Sequence, residues 1–182
     1  MLKWLFHRES RKLETKYGYD ATYMHELADL SESAFLRFAM IQTAGGTFRG
    51  GAAPNAWFAA GIAGALVEDC GPCVQIASDI AMEQGMNGEI IKQLLSGAPT
   101  DADAQLGFDY ARALLHASEN LDDLRETIAA KWGKPALIAL TLRAMTGRNF
   151  PVMKRAMGHA KTCQKVRIGD ADIAVNQALK AA

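Results

Sequence analysis

The residues whose type and spacing could do chemistry are the two thiols of Cys70-Gly71-Pro72-Cys73. Three positions apart, they are close enough to close a small disulfide ring. The run from Val74 to Ala81 has helical spacing, and a helix that starts at the pair turns free backbone N–H groups and the positive end of its dipole toward the sulfurs, which favours thiolate. Pro72 fits the first turn, where an N–H lacks a partner anyway, and Asp69 is the expected N-cap. Cys73, Ile76, Ala77, Ile80 and Ala81 form one apolar stripe, with Gln75, Ser78, Asp79 and Glu83 on the other side. Carried back one turn, the stripe reaches Cys70 in less constrained backbone. The spacing therefore predicts one buried thiol and one nearer the surface, as a redox couple needs. Zinc or purely structural cysteines are the alternatives; zinc would need Cys163 and a histidine to fold back.

The elements around the pair follow from composition and periodicity. A chain of 182 residues, 49% hydrophobic and 22% charged, reads as one soluble domain over 1–182. Twenty basic residues balance twenty acidic ones, so no overall field draws it to nucleic acid or an anionic membrane. The opening residues do not make a signal peptide, and the longest apolar run, Ala56 to Val67, is too short to span a bilayer. With three cysteines and no signal peptide, a cytosolic location is expected.

Residues 1–20 form an N-terminal helical arm, ended by Tyr17-Gly18-Tyr19-Asp20, with Trp4, Leu5 and Phe6 as its apolar part. A second helix runs from Thr22 to Thr43, and the glycines between Thr43 and Gly51 make a flexible loop. They are no phosphate loop, since no strand precedes them and no Gly-Lys-Ser/Thr follows. Pro54 opens a core helix to Val67, and Gly85 ends the dithiol helix. Further helices cover 87–96, 101–118, 121–132, 135–146 and 151–157. In the tail, 162–182, residues 163–168 are read as extended and Ala171 to Leu179 as weakly helical. With no series of alternating strands, the fold class is all-α.

From about Gly61 to Gly158 the sequence resembles the carboxymuconolactone decarboxylase and alkylhydroperoxidase D family. The dithiol carries the likeness, with Ala81-Met82-Glu83-Gln84-Gly85, Ile90 to Leu95, Phe108 to Leu114, and Asn149 to Gly158 containing Lys154-Arg155-Ala156. The resemblance implies an alkylhydroperoxidase D-like helical bundle with a family-like core over 54–160, assembled as a homo-trimer or homo-hexamer. It also implies an antioxidant peroxidase whose cysteines are recharged by a lipoyl or thioredoxin-like dithiol protein, with no cofactor and no metal. By that likeness and its place on the stripe, Cys73 attacks peroxide and Cys70 exchanges with the donor. The chain departs from the motif at two positions: Ala77 stands where the family has histidine, and Phe58 where it has glutamate. An imidazole four residues after Cys73 would share its helix face and move its proton; alanine cannot. Glu68 and Asp69 are the nearest acids and join Cys70 and Cys73 as candidate catalytic residues, with helix capping as their plainer role. His25, His116 and His159 are alternatives. Cys-Gly-Pro-Cys is also the thioredoxin sequence, but the helices on either side argue against that fold.

The expected function is thus a cytosolic oxidoreductase acting on hydroperoxides or partner disulfides. The alternative is a non-catalytic oligomeric helical protein with a structural or binding role. Sulfurs sealed from any cleft would favour the alternative; an acid or histidine beside them would favour the enzyme.

Overall fold

The computed structural model of the protein describes residues 2–160 and 165–180, so Cys163 lies outside the described residues. In chain order the helices are α1 (Lys3–Tyr17), α2 (Thr22–Leu30), α3 (Glu32–Met40) with a π turn (Ile41–Gly45), α4 (Pro54–Val67), α5 (Gly71–Glu83), α6 (Gly88–Ser96), α7 (Ala102–His116), α8 (Leu121–Trp132) and α9 (Lys134–Ala156). An antiparallel hairpin of β1 (Lys165–Ile168) and β2 (Ala171–Ala174) follows, then a 3-10 turn (Gln177–Lys180). The chain is mostly helical. Among the described residues, no helix is long and apolar enough to cross a membrane.

Helix α4 has no polar face, so it must be surrounded. Every residue from Ala56 to Leu66 is buried, chiefly between α7 and α9, with α5 joining near its C-terminal end. Its alanines and glycines let backbones meet. A Cβ on Gly107 would stand 2.2 Å from the Ala56 carbonyl oxygen, one on Gly64 2.3 Å from that of Ala144, and one on Gly147 2.4 Å from that of Gly61. Because the obstacle is main chain, it cannot turn aside as a side chain would. Gly107→Ala, favourable by helix propensity alone, is therefore expected to destabilise the protein by about 1–3 kcal/mol. A melting midpoint equal to the parent's would contradict this packing.

Four local expectations change. The helix expected over 22–43 breaks at Ser31, which is extended (φ −161°, ψ 109°) and caps α3 by accepting from the Ala34 N–H at 3.1 Å. The segments expected over 135–146 and 151–157 are one helix, α9, that passes through Pro151. The proline removes one main-chain hydrogen bond, but Pro151 and Lys154 are both buried, and this packing holds the helix together. Cys70, not Asp69, is the N-cap of α5; Asp69 takes a left-handed conformation (φ 53°), and its carboxylate meets Lys180 at 2.5 Å.

The last difference is in the tail, where Ala171 to Leu179 is not a weak helix. Gly169 (φ 61°) and Asp170 turn β1 back onto β2, burying Val166 and Ile168. The Gln75 side chain completes the β1 edge, accepting from the Arg167 N–H (2.7 Å) and donating to its carbonyl oxygen (2.8 Å). In α1 the expected apolar trio divides. Phe6 is buried against Phe35, with ring centroids 4.4 Å apart, while Trp4 stands exposed under Arg8.

Candidate redox site at the start of α5

Cys70 and Cys73 are joined as a disulfide, with Cα atoms 5.2 Å apart. Backbone N–H groups of Cys73 and Val74 both donate to the Cys70 carbonyl oxygen, so the first turn of α5 begins at the pair. The expectation of one surface thiol does not hold, because Cys70 is 1% exposed and Cys73 2%. What distinguishes them is the direction each faces. Cys73 lines a cavity of about 430 Å³, and Cys70 does not. Ile76, Ala77 and Ile80 line the same cavity, so most of the stripe seen in the sequence faces a hollow. Its last member, Ala81, turns toward the core with Val74, and Ser78, expected on the polar side, is buried there as well. Periodicity marks an apolar face without saying whether protein or space lies opposite.

Several other parts of the fold close the cavity, Leu13 of α1 among them. Helix α4 contributes Trp57, Gly61 and Ala65, and α9 contributes Arg143, Thr146, Gly147 and Phe150. The segment expected as a flexible loop forms a wall, with Thr43, Gly46, Thr47 and Arg49 facing in. It is pinned where the Trp57 indole N–H donates to the Phe48 carbonyl oxygen at 2.9 Å.

Tyr19, in the bend after α1, brings the polar group nearest in kind to the absent imidazole. Its hydroxyl lies 3.7 Å from Cys73 Sγ and 3.2 Å from the Tyr23 hydroxyl. If Tyr19 donates to sulfur, Tyr23 can donate to Tyr19, so the two hydroxyls form a directed chain. Below them Lys154 is fully buried, its ammonium 4.6 Å from the Tyr19 ring centroid and 5.5 Å from that of Tyr23. It donates to the Asp20 carbonyl oxygen at 2.8 Å, fixing the bend that carries Tyr19. Burial pushes Tyr19 up to about 12 and raises Tyr23 as well. Both phenols are neutral at physiological pH, so Tyr19 is a donor and not a base.

Glu68 and Asp69 are engaged elsewhere, and neither lines the cavity. The Glu68 carboxylate, 5% exposed, is held by Arg148 and by Arg155 (2.8 Å), which ties the end of α4 to α9. His25 and His7 stack on each other, His159 pairs with Glu26 at 3.0 Å, and His116 Nε2 is buried without a hydrogen-bond partner. None of these histidines lines the cavity. The groups that do accompany Cys73 there, Tyr19, Arg49 and Arg143, were not singled out by sequence. Tyr19 is 54 residues from Cys73 and was legible only as part of a helix-ending turn.

Burial, and secondarily the nearby Arg49, lower Arg143 to about 10, so it remains cationic at neutral pH. Among the described residues, no group of three or more His, Cys, Asp or Glu side chains is arranged to hold a metal ion. Comparisons with protein-family models, curated proteins and solved structures found no match.

Proposed function

We propose that the protein is a dithiol peroxidase of the alkylhydroperoxidase D kind in which a tyrosine hydroxyl takes the place of the family histidine. The observation that carries this reading is Cys73 Sγ, bonded to Cys70, opening on a cavity within reach of the Tyr19 hydroxyl. A sulfur facing a cleft favours the enzyme over the non-catalytic alternative.

In the reduced protein, the start of α5 favours Cys73 as thiolate. The thiolate attacks the terminal oxygen of a hydroperoxide; the O–O bond breaks, sulfenic acid forms on Cys73, and the departing alkoxide takes a proton from Tyr19. A phenol near 12 is a far stronger acid than an alcohol, so that transfer is downhill. A proton from solvent entering the cavity, which Tyr19 lines, restores Tyr19. The Cys70 thiol then attacks the sulfenic sulfur, giving the disulfide and water. An external dithiol returns both cysteines to thiols and becomes a disulfide itself. Its thiolate meets Cys73, the sulfur on the cavity, and expels Cys70, the N-cap residue of α5, where the positive end of the helix dipole favours a leaving thiolate. This assigns donor exchange to Cys73, because Cys70 is buried away from the cavity.

The donor is a lipoyl or thioredoxin-like dithiol protein, and the reaction is cytosolic. Copies associate as a trimer or hexamer. Supporting this, Ile138, Met145 and Val152 stand exposed at seven-residue steps along α9, and Leu36, Met40 and Ile41 are exposed on α3 and the π turn. A monomer in light scattering at micromolar concentration would remove the assembly.

The deciding experiment measures peroxide turnover with a dithiol donor alongside the Cys70–Cys73 reduction potential, with mass spectrometry of the oxidised protein to identify the bond. Free thiols after mild oxidation, with zinc bound, would end the redox reading. Ala77 offers a gain-of-function check, since it lines the cavity one turn beyond Cys73. Ala77→His is expected to raise turnover by about tenfold, less than the roughly hundredfold or more that acid–base help usually supplies, because Tyr19 already donates a proton. An unchanged rate in a folded variant would show that Tyr19 leaves nothing for an imidazole to add.

A further inference from the structure

Among the described residues, the cavity beside Cys73 is lined by two guanidinium groups and no carboxylate. Arg143 is 8% exposed, and its Nε is buried without a hydrogen-bond partner. Its guanidinium carbon lies 4.3 Å from the Trp57 ring centroid, and that of Arg49 lies 4.5 Å from the same ring. Among the described residues, Arg49 hydrogen-bonds a neutral acceptor, Gln84 Oε1, at 3.1 Å. The seat for Arg143 is built into the fold, because a Cβ on Gly61 would stand 2.5 Å from its Nε.

A buried guanidinium has lost its hydration, and stacking on an indole returns part of that loss. The remainder is unmet here, and a second cation beside it adds repulsion. An anion in the cavity would relieve both, and the planar fork of arginine matches a carboxylate in two parallel hydrogen bonds. The wall toward Cys73 is apolar through Ile76, Ile80 and Phe150, so the anion must carry an apolar body. The volume is in the range of small-molecule sites.

We infer that the cavity binds an organic monocarboxylate, its carboxylate on Arg143 and Arg49 and its apolar body against Ile76, Ile80 and Phe150. Resting on the peroxidase reading, this makes carboxylate-bearing aliphatic hydroperoxides the substrate class: the acid end is anchored and the peroxide end is presented to Cys73.

Calorimetry on the full chain in its disulfide form, with octanoate, methyl octanoate and inorganic phosphate as probes, tests the site without any turnover. Octanoate is expected to bind at least about tenfold tighter than its ester, and Arg143→Met to lose about that factor. The ester comparison uses the parent protein, so it stands even if the variant fails to fold. Equal binding of acid and ester, or phosphate binding as tightly as octanoate, would overturn the inference. Turnover of an aliphatic acid hydroperoxide against cumene hydroperoxide separates the two readings. Reduction of both with equal kcat/KM and no octanoate binding removes the carboxylate site and leaves the peroxidase. Octanoate binding with neither peroxide reduced upholds the site and removes the peroxidase.

Discussion

Cys73→Ser is expected to abolish peroxide turnover, whereas Cys70→Ser should react once and stop. At physiological pH a serine hydroxyl stays protonated and is a poor nucleophile, and among the described residues nothing beside Cys73 can ionise it: Tyr19 is neutral, and no acid or histidine lines the cavity. In Cys70→Ser the cavity-facing thiol is intact, so one equivalent of peroxide is consumed and Cys73 gains one oxygen. Without Cys70, that sulfenic acid has no other thiol to meet among the described residues. Stopped peroxide assays with mass spectrometry read both results. Both variants lose the disulfide, which cancels any contribution of the bond to stability when the two are compared. Full turnover by Cys73→Ser would place the attacking sulfur at Cys70 and end the assignment made from the cavity.

Tyr19→Phe is expected to slow turnover by about a hundredfold, the usual worth of a positioned proton donor. The ring stays, and with it the contact to Lys154, so the loss belongs to the hydroxyl. The pH dependence separates donor from base. A neutral donor pushed up to about 12 keeps its proton well above pH 10, so the parent should show no loss of rate from this group below that range. Stability carries the same mark with a definite sign. Tyr19 in the folded protein lies above the ordinary value of 10.0, so its contribution is fully present below about pH 10 and disappears as pH rises through about 12. Two units correspond to roughly 3 kcal/mol. Denaturant titrations at alkaline pH should show a shallower decline in Tyr19→Phe than in the parent. Identical slopes would mean that the hydroxyl is not held protonated by burial.

Much of the site's setting was legible because its signals are local. The spacing of Cys70 and Cys73, proline in the first turn and the apolar stripe after it depend on neighbours within a few residues, and α5 follows them. The same holds for α4, whose lack of a polar face required burial on all sides, and for α6, capped by Asn87 and closed at Gly97 in a left-handed conformation. Local signals also misled. Pro151 reads as a helix start, yet α9 runs through it because burial on both sides outweighs one missing hydrogen bond. In the tail, the extended reading of 163–168 holds where β1 is described, but β2, a four-residue strand of mixed Ala and Asp, reads as weakly helical until β1 is there to pair with it.

By itself, the sequence determined that two thiols sit at a helix start, able to form a disulfide, in a mostly helical chain lacking histidine one turn beyond the second thiol. Only the tertiary structure decided what surrounds them. It turned the Cys73 stripe toward a hollow, brought Tyr19 across 54 residues to the sulfur, and engaged Glu68 with Arg148 and Arg155 away from the cavity. It also gathered Arg49 and Arg143 around Trp57. A helix face is set by a period of 3.6 residues, but what lies opposite that face is set by where distant helices can approach. Here the glycines that let α7 and α9 close on α4 decided it.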